Sequence, residues 1–290
     1  MSVDVSICQK GFFRKKLSLD DILMDEMCYG TFDQNYILME GEKSETEMTI
    51  FHPQHIARGI SVVWNEHETQ EIQLHMLLST TNEEIEDFYR LISHLCHLWK
   101  TKTFEQDGEM FTLDDIDSLM ERTKAYNYEA LQSFLNDYDE GTFFCARWPI
   151  HFVSEQVQKW VDSSTLQNFA HDLHEHQSKD LYYANARLYN TNDDKIMGVY
   201  SVTATVDTIF PITPIVPFAY INLQTGEETC VDEWKVGLVS FDDDQLVGII
   251  DFKDFLNEVY HDEVHEFDSQ HIYFDGLSEE RIHELFNKYG

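Results

Sequence analysis

Apolar and polar residues alternate at the start of the chain. Val3, Val5 and Ile7 occupy every second position, with polar residues between them, which is typical of a strand with one buried face. The segments 60–64 and 72–78 are also strand-like, and the polar residues 65–68 between them have the composition of a turn. The pattern therefore predicts an N-terminal strand followed later by a β-hairpin.

A helix is predicted directly after this hairpin. Its apolar residues recur at intervals of three and four, as expected for one buried helix face: Ile85, Phe88, Ile92, Leu95 and Trp99. Thr81 and Glu84 predict a capping box at its start. The order strand, strand, helix predicts an α+β fold, in which antiparallel sheets and hairpins have helices packed on one face.

Later segments continue this mixture of helices and strands. Further helices are predicted over 113–135, 155–161, 166–176 and 252–265, with one more at the C-terminus, and the pattern between 181 and 250 is strongly β. The polar, turn-rich segment 136–141 is the weakest point for a boundary. It predicts an N-terminal α+β part, 1–140, and a C-terminal β-rich α+β part, 141–290. One domain is the alternative, because no linker composition is present.

The charge of the chain narrows the choice of partners. There are 54 acidic and 20 basic residues, a formal net charge of −34, yet 42% of residues are hydrophobic and 13% aromatic, which favours a folded protein over a disordered acidic tail. Because a surface with this much negative charge repels phosphate groups, nucleic acids and anionic membranes are excluded as partners. It favours a basic protein, a polyamine or a divalent cation. Solubility alone is the simpler interpretation of the charge.

Cysteine usage and hydropathy predict the compartment. The five cysteines are odd in number and include no C-x-x-C pair, which favours reduced thiols and a cytoplasmic location. The N-terminus lacks the order of a signal peptide, a charged stretch followed by an apolar one. No apolar run reaches the roughly 18 residues that a membrane span needs.

Motifs of nucleotide-binding and hydrolytic enzymes are absent from the sequence. It contains no G-x-G pair, no G-x-x-x-x-G-K, no G-x-S-x-G and no H-E-x-x-H. Cys145 lies near His151, but its apolar neighbours predict an inert, buried thiol. No catalytic residue and no cofactor site is therefore predicted, and the sequence favours a non-enzymatic protein.

One group of residues could hold a divalent metal ion. If the predicted helix extends over 252–265, Glu258, His261 and His265 lie on the side opposite its apolar face. Two imidazoles one turn apart, with a carboxylate before them, are suitable ligands for a first-row divalent cation. A solvated helix face is the other interpretation of the same three residues.

Three stretches carry a resemblance to a known family. They are residues 2–7 leading into 15–23, the segment 80–100, and the proline-rich segment 210–218. Together they make the chain similar to an uncharacterised family of single-unit proteins from Firmicutes, a domain of unknown function. The resemblance covers essentially the whole chain, agrees with a bacterial cytoplasmic protein and leaves the function open. It implies no site residue.

These observations lead to two main expectations of function, and a small-molecule binder with an aromatic pocket is a third possibility, which the many Tyr and Phe residues permit but which core packing explains equally. The first is a non-enzymatic cytoplasmic binding protein whose acidic surface engages a cationic protein partner. The alternative is a divalent-metal-dependent hydrolase that uses histidine and carboxylate ligands. The oligomeric state is left open by the sequence.

Overall fold

The computed structural model describes residues 1–9, 15–44, 46–64, 70–162, 165–222, 224–242 and 244–290. They form two compact units, residues 1–179 and 180–290. The strands of the first unit are β1 (Ser2–Cys8), β2 (Cys28–Phe32), β3 (Leu38–Glu40), β4 (Glu47–Phe51), β5 (Ile60–Val63), β6 (Glu71–Leu77), β7 (Thr103–Gln106), β8 (Glu109–Thr112), β9 (Glu140–Phe143) and β10 (Ile150–Val153). Its helices are α1 (Leu19–Ile22), α2 (Asn82–Leu98), α3 (Ile116–Asp137), α4 (Ser154–Val161) and α5 (Gln167–Ser178).

An eight-stranded antiparallel sheet forms the centre of the first unit. Its strand order is β3-β2-β4-β5-β6-β1-β7-β8. The predicted strand at the N-terminus is confirmed as β1, and the predicted hairpin strands are confirmed as the antiparallel pair β5 and β6. The turn predicted at 65–68 lies outside the described residues.

Helix α2 covers one face of this sheet. All five residues of its predicted apolar stripe are buried, and they pack against the inward side chains of β1, β5 and β6. Burial of each large apolar side chain contributes about 1.5–3 kcal/mol, so this contact is a major source of stability for the unit. The α+β fold with helices on one face of an antiparallel sheet is confirmed.

A second core lies beside the small sheet made by β9 and β10. Leu131 of α3 packs there with Phe143, Phe152, Trp160 and Phe169, which come from β9, β10, α4 and α5. The division predicted after residue 140 would therefore cut through β9 and through this core. The structure places 141–179 in the first unit and divides the chain after residue 179.

The described residues of the second unit form three small sheets and two α-helices. Its strands are β11 (Tyr182–Tyr183), β12 (Arg187–Asn190), β13 (Ile196–Thr203), β14 (Thr208–Pro211), β15 (Ile221–Asn222), β16 (Glu227–Glu228), β17 (Glu233–Val239), β18 (Leu246–Asp251), β19 (Val264–Glu266) and β20 (His271–Phe274). Its helices are α6 (Phe252–Val259) and α7 (Glu279–Tyr289). The sheet orders are β11-β14-β20-β19, β12-β13-β17-β18 and β15-β16. Two strand pairs, β11–β14 and β13–β17, are parallel, and the other pairs are antiparallel.

Two local predictions are wrong. The helix predicted over 252–265 ends at Val259, because the chain pairs β19 with β20 from Val264 onward.

The capping box predicted at α2 is only half formed. Thr81 accepts a hydrogen bond from the Glu84 amide at 3.1 Å, but the Glu84 carboxylate turns instead to the backbone amides of Arg58 and Gly59.

Candidate ligand groove

The outer face of the eight-stranded sheet carries most of the polar side chains of its central strands. Inward residues of β1 and β6 are apolar and buried, whereas the outward residues are at least partly exposed and, apart from Cys8 and Leu77, polar. Because successive side chains of a strand point to opposite faces, the alternation that buries one face necessarily gathers these polar residues on the other.

Strand register places the outward residues in two rows that cross the sheet. In one row, His75 of β6 lies between Asp4 of β1 and Ser61 of β5. In the other, the register runs from strand to strand through Glu47, Val63, Gln73, Ser6 and Glu105. Glu47 and Glu105 are four strands apart, which corresponds to about 19 Å.

A cavity of about 670 Å³ lies over these rows, and we call it the acidic trough. Five carboxylates line it: Asp4, Glu47, Glu71, Glu105 and Asp107. The described lining residues include no lysine or arginine. Nearby carboxylates with no cation among them produce a field that attracts positive charge.

Hydrogen bonds hold several of these carboxylates in place. The Ser6 hydroxyl donates to Glu71 Oε1 at 2.5 Å, and the Ser61 hydroxyl donates to Glu47 Oε1. His75 Nδ1 lies 2.7 Å from Asp4 Oδ1. These neighbours leave further acceptor positions on each carboxylate, since an ionised carboxylate has about four lone-pair sites.

The row containing Asp4, His75 and Ser61 has the residue types of a hydrolytic triad. In such a triad, the serine hydroxyl donates its proton to the histidine. Here the Ser61 hydroxyl donates to Glu47 instead. The row therefore supplies a histidine–carboxylate pair but no activated serine.

A second, more apolar cavity of about 270 Å³ adjoins the trough, and we call it the aromatic pocket. The rings of Phe32, Tyr36 and Phe144 line it. The Tyr36 and Phe144 ring centroids are 4.7 Å apart, and those of Phe32 and Tyr36 are 6.5 Å apart. Three residues line both cavities: Glu47, Ser61 and His75. Together the trough and the pocket form one groove over the sheet.

Arg58 forms the charged wall of the aromatic pocket. It is buried, its Nε donates to the carbonyl of Phe144 at 2.9 Å, and its Nη1 donates to the carbonyl of Ser79 at 3.2 Å. Burial lowers the pKa of Arg58, and the neighbouring Glu84 opposes that shift. The guanidinium therefore positions the loop that carries Phe144.

The predicted metal ligands are not on one helix face. Glu258 lies in α6, His261 follows the end of α6, and His265 lies in β19, where its ring stacks on Tyr273 at 4.8 Å. Hydrogen bonds from Lys288 and Tyr289 lower the pKa of Glu258 to about 2. Zinc binding at these residues stays a prediction, which titration of wild type and a His261→Ala, His265→Ala variant would decide.

The structure also bears on the Cys145 thiol, on metal sites elsewhere and on membrane-spanning helices. Burial raises the pKa of the Cys145 thiol to about 12, as expected for an inert thiol. Among the described residues, no group of three or more histidine, cysteine, aspartate or glutamate side chains is arranged to hold a metal ion. Within the same part of the chain, none of the helices combines the length and apolar composition that crossing a membrane requires.

Comparison with known families gives one match. The model of a domain of unknown function (DUF4299) matches residues 2–285. The chain belongs to this family. No curated protein and no solved structure matches the chain. The family resemblance inferred from the sequence is thus confirmed, and origin in Firmicutes stays a prediction.

Sequence reasoning missed the groove. The alternation in β1 identifies Asp4 and Ser6 as outward residues, and the same reasoning applies to Glu71 and His75 in β6. It does not show that β1 lies between β6 and β7, or that Glu47 reaches the same surface. Those facts depend on strand pairing between distant segments.

Proposed function

We propose that this protein is a non-enzymatic cytoplasmic binding protein that engages a basic protein partner through the acidic trough. The observation that carries the proposal is a 670 Å³ cavity lined by five carboxylates, without lysine or arginine among its described lining residues. A net charge of −34 adds long-range attraction for a cationic partner. The five unpaired cysteines are consistent with a reducing compartment.

The form of the trough favours an extended segment of the partner. Its carboxylates are distributed over about 19 Å of the sheet face, a span that several lysine or arginine side chains of one segment can cover. Exposed charges are screened beyond about 8 Å at physiological salt. The partner must therefore contact the trough directly.

A matched pair of variants tests this proposal. The trough variant is Glu47→Gln, Glu71→Gln, Glu105→Gln, and the control is Asp117→Asn, Glu129→Gln, Asp137→Asn on α3, where the three side chains are exposed. Both variants remove three negative charges. The assays are capture of basic proteins from a lysate at low and then moderate salt, and binding of a labelled octalysine peptide.

We expect the trough variant to bind octalysine roughly tenfold more weakly, because each exposed ion pair contributes about 0.2–1 kcal/mol. The control should remain close to wild type. Equal weakening in both variants would mean that total charge, and not the trough, attracts the peptide. Absence of octalysine binding by the wild type, and of basic proteins in either capture, would remove the proposal.

A further inference from the structure

The aromatic pocket presents a different chemistry from the trough that it adjoins. Its walls include the rings of Phe32, Tyr36 and Phe144, the side chain of Leu77 and the Cys145 thiol. Such a surface favours contact with apolar atoms. A volume of about 270 Å³ is sufficient for one large side chain but not for a folded element.

Arg58 decides which kind of side chain fits. A ring of aromatic side chains can attract a cation, but the buried Arg58 guanidinium already lies at this pocket. A second cation that passed Glu47, on the wall shared with the trough, would meet this like charge in a poorly solvated site, which is unfavourable. An uncharged apolar side chain meets no such penalty.

Tyr36 is held in place by an unusual turn. Its φ of 60° lies in the left-handed region, which is uncommon for a residue other than glycine, asparagine or aspartate. The Asp33 carboxylate fixes this turn by accepting from the amides of Asn35 at 2.8 Å and Ile37 at 2.9 Å. Strained backbone of this kind recurs where a side chain is positioned for a ligand.

The aromatic pocket and the trough share one wall. Glu47, Ser61 and His75 line both cavities, so a ligand that occupies the trough passes the mouth of the pocket. Positive charges on that ligand are attracted to the trough, and one neighbouring apolar side chain can enter the pocket.

We propose that the partner's binding segment combines basic residues with one large apolar side chain, and that this side chain inserts between Phe32, Tyr36 and Phe144. This inference rests on the proposed function and specifies the chemistry of the partner. The basic residues determine attraction, and the apolar side chain determines which basic segment is selected.

Three labelled peptides test the inference. Each alternates lysine and glycine, and the central residue is glycine, phenylalanine or arginine. Binding is measured by fluorescence anisotropy at low and moderate salt, with the wild type and with Tyr36→Asn and Phe32→Ala variants. Asparagine tolerates the left-handed conformation, so Tyr36→Asn removes the ring without adding backbone strain, and its thermal midpoint checks the fold.

For the wild type, we expect the phenylalanine peptide to bind roughly tenfold more tightly than the glycine peptide. The gain should persist at moderate salt and should be lost in both variants, while affinity for the glycine peptide stays unchanged. A wild type that binds no peptide would remove the proposed function itself.

Three results would overturn only the inference. The first is equal binding of the glycine and phenylalanine peptides by the wild type. The second is a gain that survives in Tyr36→Asn and in Phe32→Ala, which would place the apolar contact elsewhere. The third is tightest binding of the arginine peptide, which would assign the pocket to a cation.

Discussion

Glu84 is the buried carboxylate that connects the loop before β5 to the start of α2. It accepts hydrogen bonds from the amides of Arg58 at 3.2 Å and Gly59 at 2.6 Å, and from the Thr80 hydroxyl. Burial raises the pKa of Glu84, and these donors oppose the shift. Because all three partners are donors, the site requires a side chain that only accepts.

Replacement of Glu84 by glutamine tests this requirement. Glu84→Gln places an NH₂ group against one of the donors, and we expect the free energy of unfolding to fall by about 2 kcal/mol. Urea denaturation measures the change. Glu83→Gln is the matched control, because Glu83 is exposed and one residue earlier; its effect should be within about 0.5 kcal/mol. Equal effects would show that Glu84 is not a structural acceptor.

His55 and Asp87 form a second, partly buried connection in the same region. His55 Nε2 lies 2.5 Å from Asp87 Oδ2, and the Asp87 side chain is only 4% exposed. The hydrogen bond with Asp87 raises the pKa of His55, although partial burial opposes the increase. The folded state therefore favours protonated His55 more than the unfolded state does.

This shift predicts a pH-dependent contribution to stability. Because the folded pKa of His55 is above its unfolded value of about 6.5, the contribution is complete below that pH and disappears as pH rises through the folded pKa. We expect wild type to exceed His55→Asn in stability by about 1 kcal/mol at pH 6, since water reaches the ring, and by less at pH 9. A difference that is constant with pH would contradict the assignment.

Residue-level chemistry of this kind is only partly visible in the sequence. The i, i+3, i+4 stripe of α2 correctly predicts its buried apolar residues, because helix periodicity is local. The spacing of Thr81 and Glu84 also predicts that the Glu84 carboxylate caps the start of its own helix. Its carboxylate instead accepts a hydrogen bond from the amide of Gly59, which has a φ of +81°. The spacing of residues in the sequence does not show that Gly59 comes close to Glu84.

At the scale of elements, a side chain reinforces a very short strand of the second unit. Strand β11 has two residues and pairs with β14. The Tyr183 hydroxyl of β11 lies 3.0 Å from His271 Nε2 of β20, and His271 Nδ1 lies 2.9 Å from Asp268 Oδ1. The Tyr183 side chain therefore connects β11 with a strand on the other side of β14.

Removal of this hydroxyl should loosen β11. We expect Tyr183→Phe to lower the free energy of unfolding by about 1–2 kcal/mol, because it removes a hydrogen bond between buried groups. Amide hydrogen exchange should accelerate most in β11. Tyr182→Phe is the control, since Tyr182 is 41% exposed, and should change neither measurement. Unchanged exchange in Tyr183→Phe would show that backbone pairing alone fixes the strand.

Helix α6 shows where the prediction of elements fails. Its apolar side, with Phe252, Phe255 and Val259, is correctly predicted and buried. The amide of His261 then bonds to the carbonyl of Glu258, which tightens the last turn, and the chain leaves the helix. The polar pattern of the sequence continues past Val259 and does not show where the helix ends. The helix ends there because the following chain pairs with β20, which comes later in the sequence.

At the scale of the whole molecule, net charge opposes folding. A formal charge of −34 produces self-repulsion that destabilises the compact state. Salt shortens the screening length from about 30 Å at 0.01 M to about 10 Å at 0.1 M. We therefore expect the thermal midpoint to rise as sodium chloride is added over this range. A flat or falling midpoint would mean that local ion pairs outweigh the repulsion.

Each of the two units has its own core. In residues 180–290, buried side chains of β13, β17 and β18 pack against α6 and α7. In residues 1–179, α2 covers the large sheet, and α3, α4 and α5 enclose the core beside β9 and β10. Because a domain that has its own hydrophobic core can in principle fold alone, we expect both fragments to give cooperative thermal unfolding and dispersed amide resonances.

A division after residue 140 provides the control for this prediction. It separates Leu131 from Phe143 and Trp160, which share one core with it, and it removes Glu140, the partner of Val153, from β9. Exposed apolar surface of this kind promotes aggregation, so fragments 1–140 and 141–290 should be poorly soluble or partly unfolded. If they fold as well as 1–179 and 180–290, the core beside β9 is dispensable, and the boundary predicted from the turn-rich segment 136–141 is the better one.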